Sequence, residues 1–263
     1  MGRKNPIETT YTVPNCPATF ALLADSHNTN PAPILRSLRT HSPALILIAG
    51  DFVYGSTPLE SGRLKMEESS NALDLIAGCA AIAPTYLSLG NHEWMLHRAD
   101  LDLISSTGAI ILDNCWAATV VNGKRIILGG LSSSRYTHYQ SWCVENPSSE
   151  LYPRETYHVA PPIQPDLSWL PNFTSVSGYH VLISHHPEYY HLLRDRGIDM
   201  ILSGHAHGGQ WRFFGHGLFA PGQGLLPALT SGVVDGKLVI SRGLSNTTVI
   251  PRISNRPEIV YVE

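Results

Sequence analysis

The sequence predicts an α/β fold, a four-layer-like sandwich of two mixed β-sheets flanked by helices, in a single domain spanning residues 1–263. Three observations carry this prediction. Short, often β-branched apolar runs alternate with helix-like segments early in the chain, the pattern of βαβ units with a largely parallel sheet. From Ala109 onward, turn signals of the hairpin type separate the runs. Five runs end on Asp, Asn or His, which places chemistry at the carboxyl ends of strands, where open α/β sheets bind their ligands.

The elements are taken in chain order. Thr19–Ala24, Ala44–Ala49 and Thr85–Leu89 read as the early strands. Helices are expected between them at Pro33–Thr40 and over about Leu64–Ile82, where Leu73, Ile76, Ala77 and Ala80 recur near helical spacing. Ala109–Leu112, Ala117–Val121 and Arg125–Leu128 are strand-like, and Asn122-Gly123 between the last two is a type I′ turn signal. Tyr179–Ser184 and Asp199–Ser203 are strands around a short helix, Tyr189–Arg196. Val233-Val234 and Lys237–Ser241 flank a second hairpin turn, Asp235-Gly236, and Glu258–Val262 is a last strand. Residues 132–174 are rich in aromatics and proline with little periodicity, and long segments of that kind tend to be functional or mobile.

Composition narrows the function classes. A formal net charge of -3 gives no electrostatic footprint for duplex nucleic acid or an anionic membrane. The four cysteines, Cys16, Cys79, Cys115 and Cys143, form no CxxC pair, which argues against a zinc ribbon and makes a reducing compartment the default. The first residues lack an apolar core long enough for a signal peptide or membrane span, so a cytoplasmic location is expected. Of the 13 histidines, His41, His97, His158 and His180 sit in or beside polar stretches and read as surface or capping residues.

The residues just after each strand are more informative. The runs deliver Asp25-Ser26-His27, Gly50-Asp51, Gly90-Asn91-His92-Glu93, His185-His186-Pro187 and Gly204-His205-Ala206-His207. Any one of these could be a cap or turn residue. Five at the same end of a sheet point to metal coordination, and neither a GxSxG nucleophile elbow nor a P-loop lysine motif is present. Carboxylates, imidazoles and an amide oxygen, without thiolates, suit Mn, Fe, Zn or Co. Seven such side chains exceed one tetrahedral ion and match two ions sharing a bridging carboxylate.

In this order the motifs DxH, GD, GNH, His and GHxH resemble the calcineurin-like metallophosphoesterases, and "GHAHGGQWR" with "SRGLSNT" is most similar to the YkuE-type branch. Members of that branch commonly carry an N-terminal anchor or export signal, and neither is expected from the first residues here. The resemblance implies two divalent ions. Asp25, His27 and His207 would hold one, Asn91, His185 and His205 the other, and Asp51 would bridge them. His186 is the weaker alternative to His185. His92 would protonate the leaving oxygen or steady the phosphoryl charge, with Glu93 either orienting it or solvated at a helix start. Arg135, Tyr136 and Tyr139 are candidate substrate contacts. The expected reaction is hydrolysis of a small phosphorylated substrate, a phosphodiester above others, by metal-activated water. Alternatives are a pyrophosphatase acting on a nucleotide-sugar or lipid-linked substrate, a nuclease, and a non-catalytic metal-binding interaction protein.

Overall fold

The computed structural model describes residues 5–54, 66, 70–145, 164–246 and 251–263. The first strands are β1 (Ile7–Tyr11), β2 (Phe20–Leu23), β3 (Leu45–Ala49), β4 (Thr85–Ser88) and β5 (Ile110–Ile111). Next come β6 (Cys115–Val121), β7 (Lys124–Leu131), β8 (Tyr179–Ser184) and β9 (Met200–Ser203). Four two-residue strands come after them: β10 (Arg212–Phe213), β11 (His216–Gly217), β12 (Phe219–Ala220) and β13 (Gly224–Leu225). The last are β14 (Gly232–Val234), β15 (Leu238–Ile240) and β16 (Glu258–Val262). The helices are α1 (Ala32–His41), α2 (Ser70–Ala80), α3 (Arg98–Ser105), α4 (Ser134–Glu145), α5 (Leu170–Ser175) and α6 (Tyr190–Leu193).

Two six-stranded sheets result, in the orders β1-β16-β2-β3-β4-β5 and β14-β15-β9-β8-β7-β6. Both are mixed. In the first, β2 to β5 run parallel and β16 is antiparallel to β2. In the second, β15, β9, β8 and β7 run parallel between antiparallel edges β14 and β6.

Side-chain alternation along each strand builds the layers. Phe20 and Leu22 of β2 meet Val181 and Ile183 of β8 between the sheets. Ala21 and Leu23, on the opposite face, pack with Ile34 and Leu38 of α1 and Leu75 and Ile76 of α2. On the far side, Ile127, Leu182 and Ile201 pack with Leu170 and Phe173 of α5 and Leu193 of α6. All four β2 residues are buried, as expected for a strand covered on both faces. Each such Leu or Ile contributes about 1.5–3 kcal/mol by leaving water.

Several elements depart from the sequence reading for identifiable reasons. β1 escapes it because it is an edge strand only half buried, and its partner β16 lies at the opposite end of the chain. In the stretch 132–174, the helices α4 and α5 replace the expected irregularity. The inward stripe of α4 rests on Tyr136 and Tyr139, too few apolar positions to show as a period. Residues 146–163, with His158, lie outside the described residues, as do 64, 65 and 67–69 of the expected second helix. His180 is not a surface residue. It is buried on β8, with its ring edge on Phe173 at 5.1 Å and its Nδ1 3.6 Å from Asp199.

Candidate metal centre

The carboxyl ends of β2, β3, β4, β8 and β9 lead directly into Asp25, Asp51, Asn91, His185 and His205. The backbone there is unusual. Asp25, His27, Asp51, His205 and His207 all have positive φ, between 41° and 62°. Such conformations are disfavoured for residues with a Cβ and cluster at functional sites. Cross-loop hydrogen bonds hold them: Asp25 N–H to Gly50 O (3.1 Å), His27 N–H to Asp51 O (3.0 Å) and Gly204 N–H to His185 O (3.0 Å). Two motif glycines are required by close approach. A Cβ at Gly90 would lie 2.3 Å from Asp51 Oδ1, and one at Gly204 would lie 2.7 Å from Asp25 Oδ2.

The side chains gather in two adjoining groups. Asp25, His27 and His207 offer ligand atoms within 4.8 Å of one another, and so do Asp51, His185 and His205. In the first group Asp25 Oδ1 is 3.9 Å from His27 Nε2 and 3.7 Å from His207 Nε2. In the second, Asp51 Oδ2 is 3.1 Å from His185 Nε2. The same oxygen is 3.9 Å from His27 Nε2, so Asp51 stands between the groups. Asn91 Oδ1 and His27 Nε2 are buried without a hydrogen-bond partner, which fits atoms meant for a cation. The outer ring nitrogens are tied down: His27 Nδ1 to Val53 O (3.1 Å) and His185 Nδ1 to Ala49 O (2.6 Å). Those contacts turn Nε2 of each ring toward the carboxylates. On the outer side of the first group, Arg252 Nη2 donates to His207 Nδ1 at 2.8 Å.

The charge states of three histidines and of Asp51 favour the same use. Burial, reinforced by His92, pushes the His27 imidazole down to about 3. Burial also holds His205 and His207 well below the ordinary histidine range, with His186 and Arg252 adding to it respectively. These rings are therefore neutral, the form that binds metal. Burial opposes ionisation of Asp51, but His185 and His92 hold its carboxyl well below the usual range. Burial likewise opposes a charged His185, yet Asp51 pulls it up to about 10. Asp25, with burial dominating, is pushed up to about 7. Crowded carboxylates, three neutral imidazoles and a bare amide oxygen form a donor set that fits divalent cations, and His185 joins it on releasing its proton.

His92 sits at the rim. Its backbone N–H donates to Asp51 Oδ1 (2.8 Å), its ring meets His27 at 4.5 Å between centroids, and its Nε2 is 3.8 Å from Asp51 Oδ2. Neither alternative for Glu93 holds. Glu93 is fully buried and accepts N–H bonds from Asp51 (2.8 Å), Phe52 (2.9 Å), Val53 (3.2 Å) and Gly90 (2.7 Å). It shapes the two loops that present Asp51 and Asn91.

A cavity of about 500 Å³ opens beside Asn91 and His205. Arg135 lines it, its guanidinium 5.2 Å from the centre of the Trp94 ring. Tyr136 and Tyr139 do not line it, being buried under α4 at 4% and 5% exposure. His186 also faces the cavity, bonded through Nε2 to Ser133 Oγ (2.8 Å) and through Nδ1 to Glu188 Oε1 (3.2 Å). With Glu188 and His205 it forms a further group whose atoms lie within 4.8 Å, as do those of His27, Asp51 and His92. Sequence reasoning missed Ser133, Ser134, Glu188 and Tyr189 in this wall. A signal existed: β7 runs parallel to β8, so Ser132-Ser133-Ser134 leave it at the same edge as the other motifs. No helix among the described residues is long and apolar enough to cross a membrane.

Comparison with known proteins agrees with this geometry. The uncharacterised protein YpbG of Bacillus subtilis (strain 168) is 27% identical over 247 residues, covering 92% of this chain and 79% of that protein. An uncharacterised metallophosphoesterase of the same organism, YkoQ, is 34% identical over 90 residues, 32% of this chain and 33% of that protein. Among solved structures, a 5'-nucleotidase precursor from Thermus thermophilus superposes with a TM-score of 0.52 at 18% identity, over 86% of this chain and 48% of that one. That likeness speaks for the fold, and this chain spans about half the length of the nucleotidase. The sequence model of the family described as calcineurin-like phosphoesterase matches residues 18–209, most of the chain and all the clustered motifs. The chain belongs to the calcineurin-like phosphoesterase family and is a phosphoric ester hydrolase.

Proposed function

We propose that the protein, acting as one domain over residues 1–263, hydrolyses phosphodiesters with two divalent ions. The observation that carries this reading is the position of Asp51, whose Oδ2 lies 3.1 Å from His185 Nε2 and 3.9 Å from His27 Nε2, between two ligand groups. Asp25, His27 and His207 hold one ion, Asn91, His185 and His205 the other, and Asp51 is shared. Mn, Fe, Zn and Co suit the donor set. When bound, such a pair polarises the phosphoryl oxygens and lowers the pKa of an attacking water.

The chain's own residues complete the reaction. His92 supplies a ring N–H at the rim, directed at the leaving oxygen. Arg135, held against Trp94, offers a guanidinium to a phosphate oxygen. The cavity of about 500 Å³ supports a diester, because it leaves room for a second substituent beside Asn91. Free thiols at Cys16, Cys79 and Cys115 support a reducing, cytoplasmic setting. A second reading, cleavage of a lipid-linked pyrophosphate, is supported by apolar hairpins next to the cavity.

The test is hydrolysis of bis(4-nitrophenyl) phosphate and 4-nitrophenyl phosphate after reconstitution with Mn, Fe, Zn or Co. The expected result is metal-dependent turnover with kcat/KM higher for the diester. Absence of turnover of either ester with every metal would overturn the reading, and a monoester preference would overturn its diester part.

A further inference from the structure

Beyond β9, two short hairpins project beside the cavity, β10 with β11 and β12 with β13. They and the neighbouring Ile253 hold seven of the eleven exposed large apolar side chains among the described residues. Phe214 at the first hairpin's tip is 102% exposed, and Leu226, just after β13, is 77% exposed. Both have positive φ, 50° and 53°. An exposed, bulky apolar residue in the left-handed region is unfavourable twice over, where glycine or asparagine would fit. Its own fold gains nothing from it, so the gain must come from what covers it. Phe219 and Leu225 face each other across the second hairpin, 50% and 81% exposed. Trp211 pairs with Ile253, and its indole N–H donates to Pro251 O at 2.9 Å.

Charge identifies the partner. The chain has 21 Asp plus Glu and a net charge of -3, yet residues 200–234 and 251–257 contain no carboxylate. The half-buried Arg212, bonded to Gly208 O and Gly215 O, and the exposed Arg256 lie in these segments, so the charge that the segments contribute is positive, while Glu188 approaches Gly222 only at the cavity end. Continuity with the site is direct, since Pro221 and Gly222, in the loop joining β12 to β13, line the cavity beside Asn91 and His205.

We propose that these hairpins dock onto an anionic lipid bilayer, seating Phe214, Leu226 and the Phe219–Leu225 pair at the boundary between headgroups and acyl chains. Tryptophan favours that depth, as Trp211 would, and anionic lipid attracts the arginines. Where the phosphohydrolase reading also holds, docking presents the cavity to a phosphate-bearing lipid headgroup.

The experiment is co-sedimentation of the full chain with vesicles of phosphatidylglycerol and phosphatidylcholine, and with phosphatidylcholine alone. Phe214→Asn, Leu226→Asn and the double variant are compared with the wild type. Asparagine tolerates the left-handed region, so thermal midpoints should hold or rise. The wild type should bind the anionic vesicles more tightly than the neutral ones, weakening with salt, and the double variant should bind about tenfold or more weakly. Hydrolysis of soluble bis(4-nitrophenyl) phosphate, measured in parallel, should be equal in both. No binding to anionic vesicles, or binding unchanged in the double variant, overturns the proposal. A concentration-dependent dimer that Phe214→Asn dissolves also overturns it, assigning the face to a second copy. Vesicle binding without hydrolysis would support docking while overturning the phosphohydrolase reading.

Discussion

Glu93 illustrates how much of the centre depends on residues that touch no substrate. Its two oxygens accept four backbone N–H bonds and thereby fix the loops after β3 and β4. In Glu93→Gln the amide nitrogen cannot accept, so two buried donors lose their partner. Each orphaned donor costs about 1–3 kcal/mol, so urea unfolding should show a loss of at least that size. A variant as stable as the wild type would show that the loops hold themselves. His92 makes a different prediction. Burial holds its ring below the usual range, so it meets substrate neutral unless a phosphate anion raises it. His92→Ala should keep metal content and lose about 10²–10⁴-fold in rate on alkyl diesters. The loss should be smaller on nitrophenyl esters, whose leaving group departs without a proton. Equal losses on both would make His92 a stabiliser of phosphoryl charge, and a loss explained by missing metal would remove it from the chemistry.

Strand ends are the element on which the site is built, and they explain what the sequence made legible. Each predicted ligand follows an apolar run that is locally recognisable, so Asp25, Asp51, Asn91, His185 and His205 could be read without tertiary information. Glu93 could not, because its meaning lies in bonds to residues about forty positions earlier in the chain. Glu188 and Ser133 escaped for the same reason, since His186 brings them together only after β7 and β8 have paired. The helix α4 stayed hidden behind two tyrosines, and the small hairpins behind strands of two residues. The glycines at the strand ends yield a test of packing. A methyl group at Gly90 meets Asp51 Oδ1 at 2.3 Å and Asp51 N at 2.7 Å, and the backbone cannot yield. Gly90→Ala should therefore displace Asp51, lowering the thermal midpoint and metal content together. Gly123→Ala is the control, because a Cβ there meets nothing within 4 Å, so only its positive φ of 74° is strained. Its expected cost is about 1 kcal/mol with metal content unchanged.

At the scale of the molecule, both ligand groups draw on both sheets. Asp25 and His27 follow β2 of the first sheet, while His207 follows β9 of the second. Asp51 and Asn91 follow β3 and β4, whereas His185 and His205 follow β8 and β9. A bound ion in either group would thus join one sheet to the other, and stability should be linked to metal. At a free metal concentration about 1,000-fold above Kd, one site adds about 4 kcal/mol by mass action. Chelation should therefore lower the thermal midpoint in the wild type. The size of that response distinguishes the residues. Asp51→Asn removes the charge shared by both groups, so it should abolish most of the response and reduce recovery of both ions. Asn91→Ala removes a ligand from one group, so it should keep about one ion and a partial response. The measurement is elemental analysis with thermal unfolding, with and without chelator, on the three proteins. If Asp51→Asn retains two ions and a full chelator response, Asp51 does not bridge. If the wild type itself ignores chelation, no metal holds the sheets together.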